Sequence, residues 1–405
     1  MITTANRGPK SRRLCRRSLR RTLGAVLAGM AWLSGGMAAR AKGAAMAVPR
    51  TETERLTPVL PERMYAAPGL EFKLYFDNVI LTPHPETYRY SVRCDVGRVE
   101  GMHWTVIPGS RDVGEHPFVL SVRDPGGKLL GSARSLLCIA PAAAGAGGKL
   151  RLLIVGDSLT HATVYPNELA RLLSKPGNPR WTMLGTHHTR NALPGVVHEG
   201  YGGWTWERFL EHYEPHPDPK RRKHSSPFVF LDPRTGKPHL DIPEYIRRHC
   251  AGAPPNVATF LLGINDCFSV NPDDSAAVDA RIDRVLARAD ALLAAFHRAA
   301  PHCLLGVCIT PPPNARESGF EANYKGKYHR WGWKRIQFRL AERMLAHFRG
   351  REKERIVLIP TELDLDPVKG FPENNGVHPN AFGYRQIAGS LYAWLKWQLA
   401  AGRIR

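Results

Sequence analysis

What this chain does not contain narrows its chemistry. Its 405 residues include seven cysteines but no C-x-x-C pair, so a structural zinc site of paired cysteines is not expected. Gly145-Ala146-Gly147-Gly148-Lys149 is glycine-rich before a lysine, yet the G-x-x-x-x-G-K spacing of a phosphate loop is missing. Beyond residue 47 no apolar run is long enough to span a bilayer. Low-complexity bulk is missing too, and the length suits two globular domains.

Acid is missing from residues 1–47, which hold ten of the 57 Lys and Arg. A basic stretch ends at Arg20-Arg21. A small, apolar stretch runs from Leu23 to Met37, and Ala39-Arg40-Ala41 and Ala45-Met46-Ala47 each offer an A-x-A cleavage site. This is the layout of an export signal, so residues 1–47 are set apart from the fold. A periplasmic or secreted location is expected, or a membrane-anchored one if the signal stays attached. Ser11-Arg12-Arg13 points to the twin-arginine route, with Cys15 where that signal carries an aromatic.

Without that segment the chain holds 47 basic against 36 acidic residues, a net charge of +11. The excess favours anionic partners such as acidic polysaccharide, and export argues against nucleic acid. Six cysteines remain. An even number in an exported protein permits disulfides, and Cys94 with Cys138 is the expected pair. Cys308, inside CLLGVCI, reads as a small core residue.

Residues 50–141 read as a small all-β domain, immunoglobulin-like in its short strands. Phe72, Leu74 and Phe76 alternate with Lys73 and Tyr75; Tyr90, Val92 and Cys94 alternate with Ser91 and Arg93; Phe118, Leu120 and Val122 alternate likewise. Asp124-Pro125-Gly126-Gly127 supplies a hairpin turn. PAAAGAGG, Pro141 to Gly148, reads as a flexible linker across 142–149.

Residues 150–403 change pattern. Continuously apolar strands (152–155, 181–184, 257–262, 304–309 and 356–359) alternate with helices expected near 167–173, 276–299, 331–348 and 380–399. Such strands imply a parallel sheet covered on both faces, with ligands at the strands' carboxyl ends. Four polar blocks sit there. Ser158 follows the first strand in LLIVGDSL. Gly202-Gly203 lies in HEGYGGWTW, Gly263-Ile264-Asn265-Asp266 follows VATFLL, and His378 lies in NNGVHPN before the final helix. A serine needs a base and donors for a developing oxyanion, and these blocks contain both. No G-x-S-x-G pentapeptide surrounds Ser158.

Taken together, the four blocks resemble the SGNH hydrolases, the GDSL-type esterase and lipase superfamily, over about residues 150–400. Gly156-Asp157-Ser158-Leu159, Gly203, Gly263-x-Asn265-Asp266 and Val377-His378-Pro379 carry the resemblance. It implies a three-layer α/β/α, flavodoxin-like domain. Ser158 would be the nucleophile and His378 the base. The N–H groups of Ser158 and Gly203 and the Asn265 amide would hold the oxyanion, with no cofactor or metal.

One position departs from the family. Asp usually stands three residues before the histidine; here it is Asn375. Asn375 is expected to orient His378, with a backbone carbonyl or a carboxylate from Glu373, Asp364 or Asp366 as alternatives. The substitution also keeps open a catalytically weak glycan-binding or cell-surface protein on the same fold.

Substrate clues are fewer. His161, Trp204 and Trp331 are candidate substrate contacts. Residues 211–245 read as a rim loop. Residues 324–335, YKGKYHRWGWKR, interleave aromatics with cations, a mixture suited to an acidic glycan. An O-acetyl ester of a carbohydrate is the expected substrate; lipase or thioesterase activity is the alternative. The oligomeric state stays open.

Overall fold

Alternating side chains build the N-terminal part of the protein, seen here in a computed structural model that describes residues 54–218 and 224–404. The export-type segment and Lys220-Arg221-Arg222-Lys223 lie outside the described residues. Seven strands form two small sheets: β1 (Arg63–Ala66), β2 (Phe72–Tyr75), β3 (Arg89–Arg93), β4 (Arg98–Glu100), β5 (His103–Val106), β6 (Gly114–Arg123) and β7 (Leu129–Ile139). Their orders are β1-β7-β6-β3 and β2-β5-β4, antiparallel except for the parallel β1–β7 pair. One turn of helix, α1 (Phe76–Val79), ends the run in which Phe76 was expected to continue a strand. Phe118, Leu120, Leu137 and Ile139 meet Phe72, Leu74 and Trp104 in one apolar cluster. The expected turn at 124–127 is present, its Gly127 N–H donating to the Asp124 carbonyl at 3.0 Å.

Successive residues of β1 face opposite ways. Met64 and Ala66 enter this small core, while Tyr65 and Ala67 join the core of the C-terminal part. Leu363 crosses the other way, into the small core. The described residues from 54 onward accordingly make one compact unit. Asn78 Nδ2 donates to the carbonyls of Glu362, Leu363 and Leu365, and buried Lys334 pairs with Asp77. The connector expected to be flexible by composition is docked. Ala144 is buried, and its carbonyl accepts from Lys396 Nζ at 2.6 Å.

The expected Cys94–Cys138 bridge is not formed; both cysteines are free. Cys94 directly follows β3, Cys138 lies in β7, and β6 runs between them. Two strand spacings already separate them by roughly 9–10 Å, beyond the roughly 7 Å that a disulfide allows.

The apolar runs after residue 148 become β8 (Lys149–Gly156), β9 (Arg180–Leu184), β10 (Glu199–Gly200), β13 (Val257–Leu261), β14 (Leu304–Cys308) and β15 (Ile356–Ile359); β11 (Val229–Leu231) and β12 (Pro238–Leu240) form a separate hairpin. The main sheet is parallel throughout. β9 and then β10 pair along one edge of β8, and β13, β14 and β15 follow on the other. Numbered from β8, this is the flavodoxin-like order 2-1-3-4-5, whose switch point lies between β8 and β13. β13 and β14 are buried at every residue, as expected of strands covered on both faces.

The helices are α2 (Ser158–His161), α3 (Val164–Leu173), α4 (Trp206–Glu211), α5 (Ile242–His249), α6 (Ile264–Cys267), α7 (Ser275–Ala299), α8 (Glu317–Tyr324), α9 (Arg330–His347) and α10 (Ala381–Ala400). α3 packs on α10, and α7 packs on α4, α5 and α9. Tyr384, Ile387, Leu391 and Leu395 form the expected buried face of α10, while Ala381 at its start is exposed. Among the described residues no helix is long and apolar enough to cross a membrane.

Candidate active site

The tip of β8 is built by close approach. A Cβ on Gly156 would meet Thr160 Oγ1 at 2.0 Å and the Leu261 carbonyl at 2.9 Å; glycine lets β8 turn directly into α2. The helix cap falls on Asp157, whose Oδ1 accepts from Leu159 N–H at 2.9 Å. Ser158 is the first helical residue, half-buried, and its hydroxyl is left for chemistry.

His378 reaches it from the far end of the chain. His378 Nε2 lies 2.9 Å from Ser158 Oγ. Asn375 Oδ1 lies 3.1 Å from His378 Nδ1, and accepts from the His378 N–H at 2.9 Å and the Val377 N–H at 3.1 Å. Those backbone donors dictate which way the amide points, because only its oxygen can accept them. The carbonyl oxygen therefore faces the ring, Nδ1 carries the proton, and Nε2 offers its lone pair to Ser158. Burial holds His378 below the usual histidine range, which keeps the ring neutral, with its Nε2 lone pair free to accept a proton.

The other carboxylate candidates point elsewhere. Asp364 accepts from Lys73 N–H, Asp366 from Tyr75 OH and from the N–H groups of Val368 and Lys369. Glu373 is exposed.

The histidine loop has no strand or helix to hold it. Asn314, fully buried after β14, donates from Nδ2 to the carbonyls of Pro372 and Asn375, both at 3.0 Å; its own N–H reaches the Gly376 carbonyl. Asn380 caps α10 two residues after His378. Sequence reading missed Asn314. Its signal was an Asn ending the proline run TPPPN just past a buried strand.

Gly203 and Asn265 stand on either side of the switch point. Gly203 has φ +78°, a conformation that favours glycine, and open space lies where a Cβ would be. Conformation, rather than crowding by the protein, thus requires glycine. Asn265 Nδ2 donates to the Trp204 carbonyl at 3.1 Å and approaches Asp157 Oδ2 at 3.4 Å. Asp266 Oδ1 accepts from Trp206 N–H at 3.0 Å. Burial raises both Asp157 and Asp266 to about 7.

A cleft of about 540 Å³ lies beside α2, walled by His161, His187, Tyr201, Gly202, Trp204 and His224. His161 Nδ1 is 2.9 Å from His187 Nε2, and the rings stack. Trp204 is 3% exposed, stacked on His224 with Arg208 over its ring, so only its edge serves the cleft. Trp331 is half-buried at the start of α9. It is Trp333 that joins Phe268, which in turn meets Tyr324 and Tyr328. The aromatic run 324–333 thus packs largely on the segment following Asn265.

The arrangement can pass a proton from a serine hydroxyl to a neutral imidazole beside hydrogen-bond donors. No family model and no curated protein matches the chain. Solved structures similar to it include a carbohydrate esterase family 3 protein from Talaromyces cellulolyticus (17% identity, 62% of this chain, 99% of that one, TM-score 0.38). An acetyl esterase mutant with acetate ion matches with 17% identity, the same coverages and a TM-score of 0.37. An inhibitor-bound aryl esterase of M. smegmatis matches at 17% identity over 61% of this chain and 98% of that one, TM-score 0.31. At these scores the chemistry rests on the site geometry and not on likeness.

Proposed function

We propose that the protein is an exported serine esterase of the SGNH type that releases acetyl groups from a carbohydrate. The observation that carries this reading is the 2.9 Å contact from Ser158 Oγ to His378 Nε2, with Asn375 fixing the ring's tautomer. Ser158 attacks the ester carbonyl as His378 takes its proton. The N–H groups of Ser158 and Gly203 and the Asn265 amide receive the oxyanion. His378 then protonates the departing alcohol, and water hydrolyses the acyl-enzyme by the reverse roles. Residues 1–47 serve as the export signal. The two-sheet module, immunoglobulin-like in this reading, is a spacer or glycan-binding element. The carbohydrate assignment draws on export, on this module and on the ring-walled cleft that His161 of α2 lines.

Hydrolysis of p-nitrophenyl acetate and p-nitrophenyl octanoate by the full-length protein and its Ser158→Ala variant tests the mechanism. Acetate turnover that falls by at least about 10³-fold in the variant is expected. Turnover confined to octanoate would sink the acetyl assignment, and equal turnover in both proteins would remove Ser158 from the reaction.

A further inference from the structure

A second pit adjoins the oxyanion side of the site. Its volume is about 550 Å³, and Asn265 and Asp266 line it together with Thr205, Glu207 and three arginines of α7: Arg281, Arg284 and Arg288. Spacings of three and four place these arginines along one helix face, spanning roughly 10 Å. They are not equivalent. Arg288 is spent on Glu207 at 3.0 Å and Glu211 at 2.8 Å. Arg281 Nη1 donates to the Asp266 carbonyl at 2.8 Å and to Ser269 Oγ at 3.2 Å. This holds its guanidinium against the segment carrying Asn265 without neutralising it. Arg284 is exposed and has no ion-pair or hydrogen-bond partner among the described residues. Two uncompensated guanidiniums therefore sit at a pit that shares a wall with the oxyanion donor. Burial raises the Asp266 carboxyl to about 7, so at neutral pH it offsets these two charges only in part.

Resting on the esterase reading above, we infer that this pit receives a carboxylate of the substrate, so that the preferred ester is an acetyl group on an acidic, uronate-containing glycan. A guanidinium fork matches a carboxylate in shape as well as charge. Arg281 supplies the pre-positioned cation and Arg284 the adaptable one. The basic balance of the whole chain draws polyanions in the same direction.

The test compares acetate release from acetylated polygalacturonate with release from the same polymer after its carboxyls are methyl-esterified. The full-length protein should favour the acidic form about tenfold in kcat/KM at low salt. That preference should collapse in about 0.5 M salt, and Arg284→Glu should abolish it. Equal rates on the two polymers, or a preference that survives in Arg284→Glu, would overturn the inference. Binding of unacetylated polygalacturonate to the Ser158→Ala protein reads the same pit without catalysis. It should weaken about tenfold in the double variant with Arg284→Glu, and unchanged binding overturns the inference. Loss of Ser158 dependence in p-nitrophenyl acetate hydrolysis would overturn the esterase reading, whatever the binding shows.

Discussion

The two halves of the dyad are held by different means. Ser158 is placed by backbone: a buried strand, a glycine with no room for a Cβ, and a capped helical turn. His378 sits in a loop placed by side-chain amides: Asn375 turns the ring, Asn314 fastens the segment that carries Asn375, and Asn380 caps the next helix. Backbone placement tolerates many side-chain changes because hydrogen bonds of the sheet persist. Side-chain placement concentrates the same task in a few removable atoms. The histidine side should therefore be the easier one to break.

Among changes that reposition the histidine, the largest effect is expected from Asn375→Ala. It removes the acceptor for Nδ1 and for two backbone N–H groups at once, and kcat should fall about 10²-fold. A loss under threefold in steady-state kinetics would mean that the ring is oriented by something else. Asn375→Asp sharpens the comparison in the opposite direction. In Ser-His-Asp triads an Asn replacement costs about 10⁴ in kcat because the ring takes the wrong tautomer. Here the backbone donors already force the right one, so only the missing charge separates Asn from Asp. Asn375→Asp should raise kcat about tenfold, roughly 1.4 kcal/mol of imidazolium stabilisation. It should also move the acidic limb of the pH–kcat/KM profile upward. In the wild type that limb should lie below 6.5, since burial lowers His378 and only the neutral ring accepts the serine proton. A wild-type limb above 6.5 would contradict this account.

Asn314→Ala should cost about 1–3 kcal/mol of stability, because it strands buried carbonyls, and lower kcat while leaving KM near its original value. Denaturant titration and kinetics read the two effects separately. The smallest effect is on stability alone and develops as pH rises from about 5 to about 8. Glu362, in the segment leading to the histidine loop, has both carboxylate oxygens buried without a hydrogen-bond partner among the described residues, and burial raises it to about 8. The native state thus holds a proton that the unfolded chain releases near 4.5. This contribution is complete below that pH and is lost as pH rises through 8. Glu362→Gln stays neutral throughout, so its stability relative to wild type should improve between pH 5 and 9 by about 1–3 kcal/mol. An improvement independent of pH would rule the titration out.

Much of the scaffold was readable because its periodicity is strong. Five of the six strands of the parallel sheet and four of the nine described helices of the C-terminal part lie where apolar runs and 3.6-residue spacing put them, within a few residues. The turn at 124–127 was readable from its Pro and Gly. Ser158, Gly203, Asn265 and His378 were legible as candidates because each follows a strand or precedes a helix on the sheet's carboxyl edge. Asn314 was not, because a buried Asn in a proline-rich loop has no periodic context. The Cys94–Cys138 expectation failed because strand-like sequence gives no strand order. The docked connector failed for a related reason: small residues that are flexible in solution also fit closely under another element, here α10.

By itself the sequence determined the strand and helix periods, the order of the polar blocks and the substitution at position 375, all properties of neighbouring residues. Only the tertiary structure decided that Asn375 presents its oxygen to His378, that Asp364 and Asp366 turn toward the N-terminal sheets, and that Arg281 and Arg284 share a wall with Asn265. Those outcomes depend on contacts between residues far apart in the chain. Local spacing can place a donor at a strand end, but which acceptor it meets is settled only when the sheet order and the packed helices bring the two together.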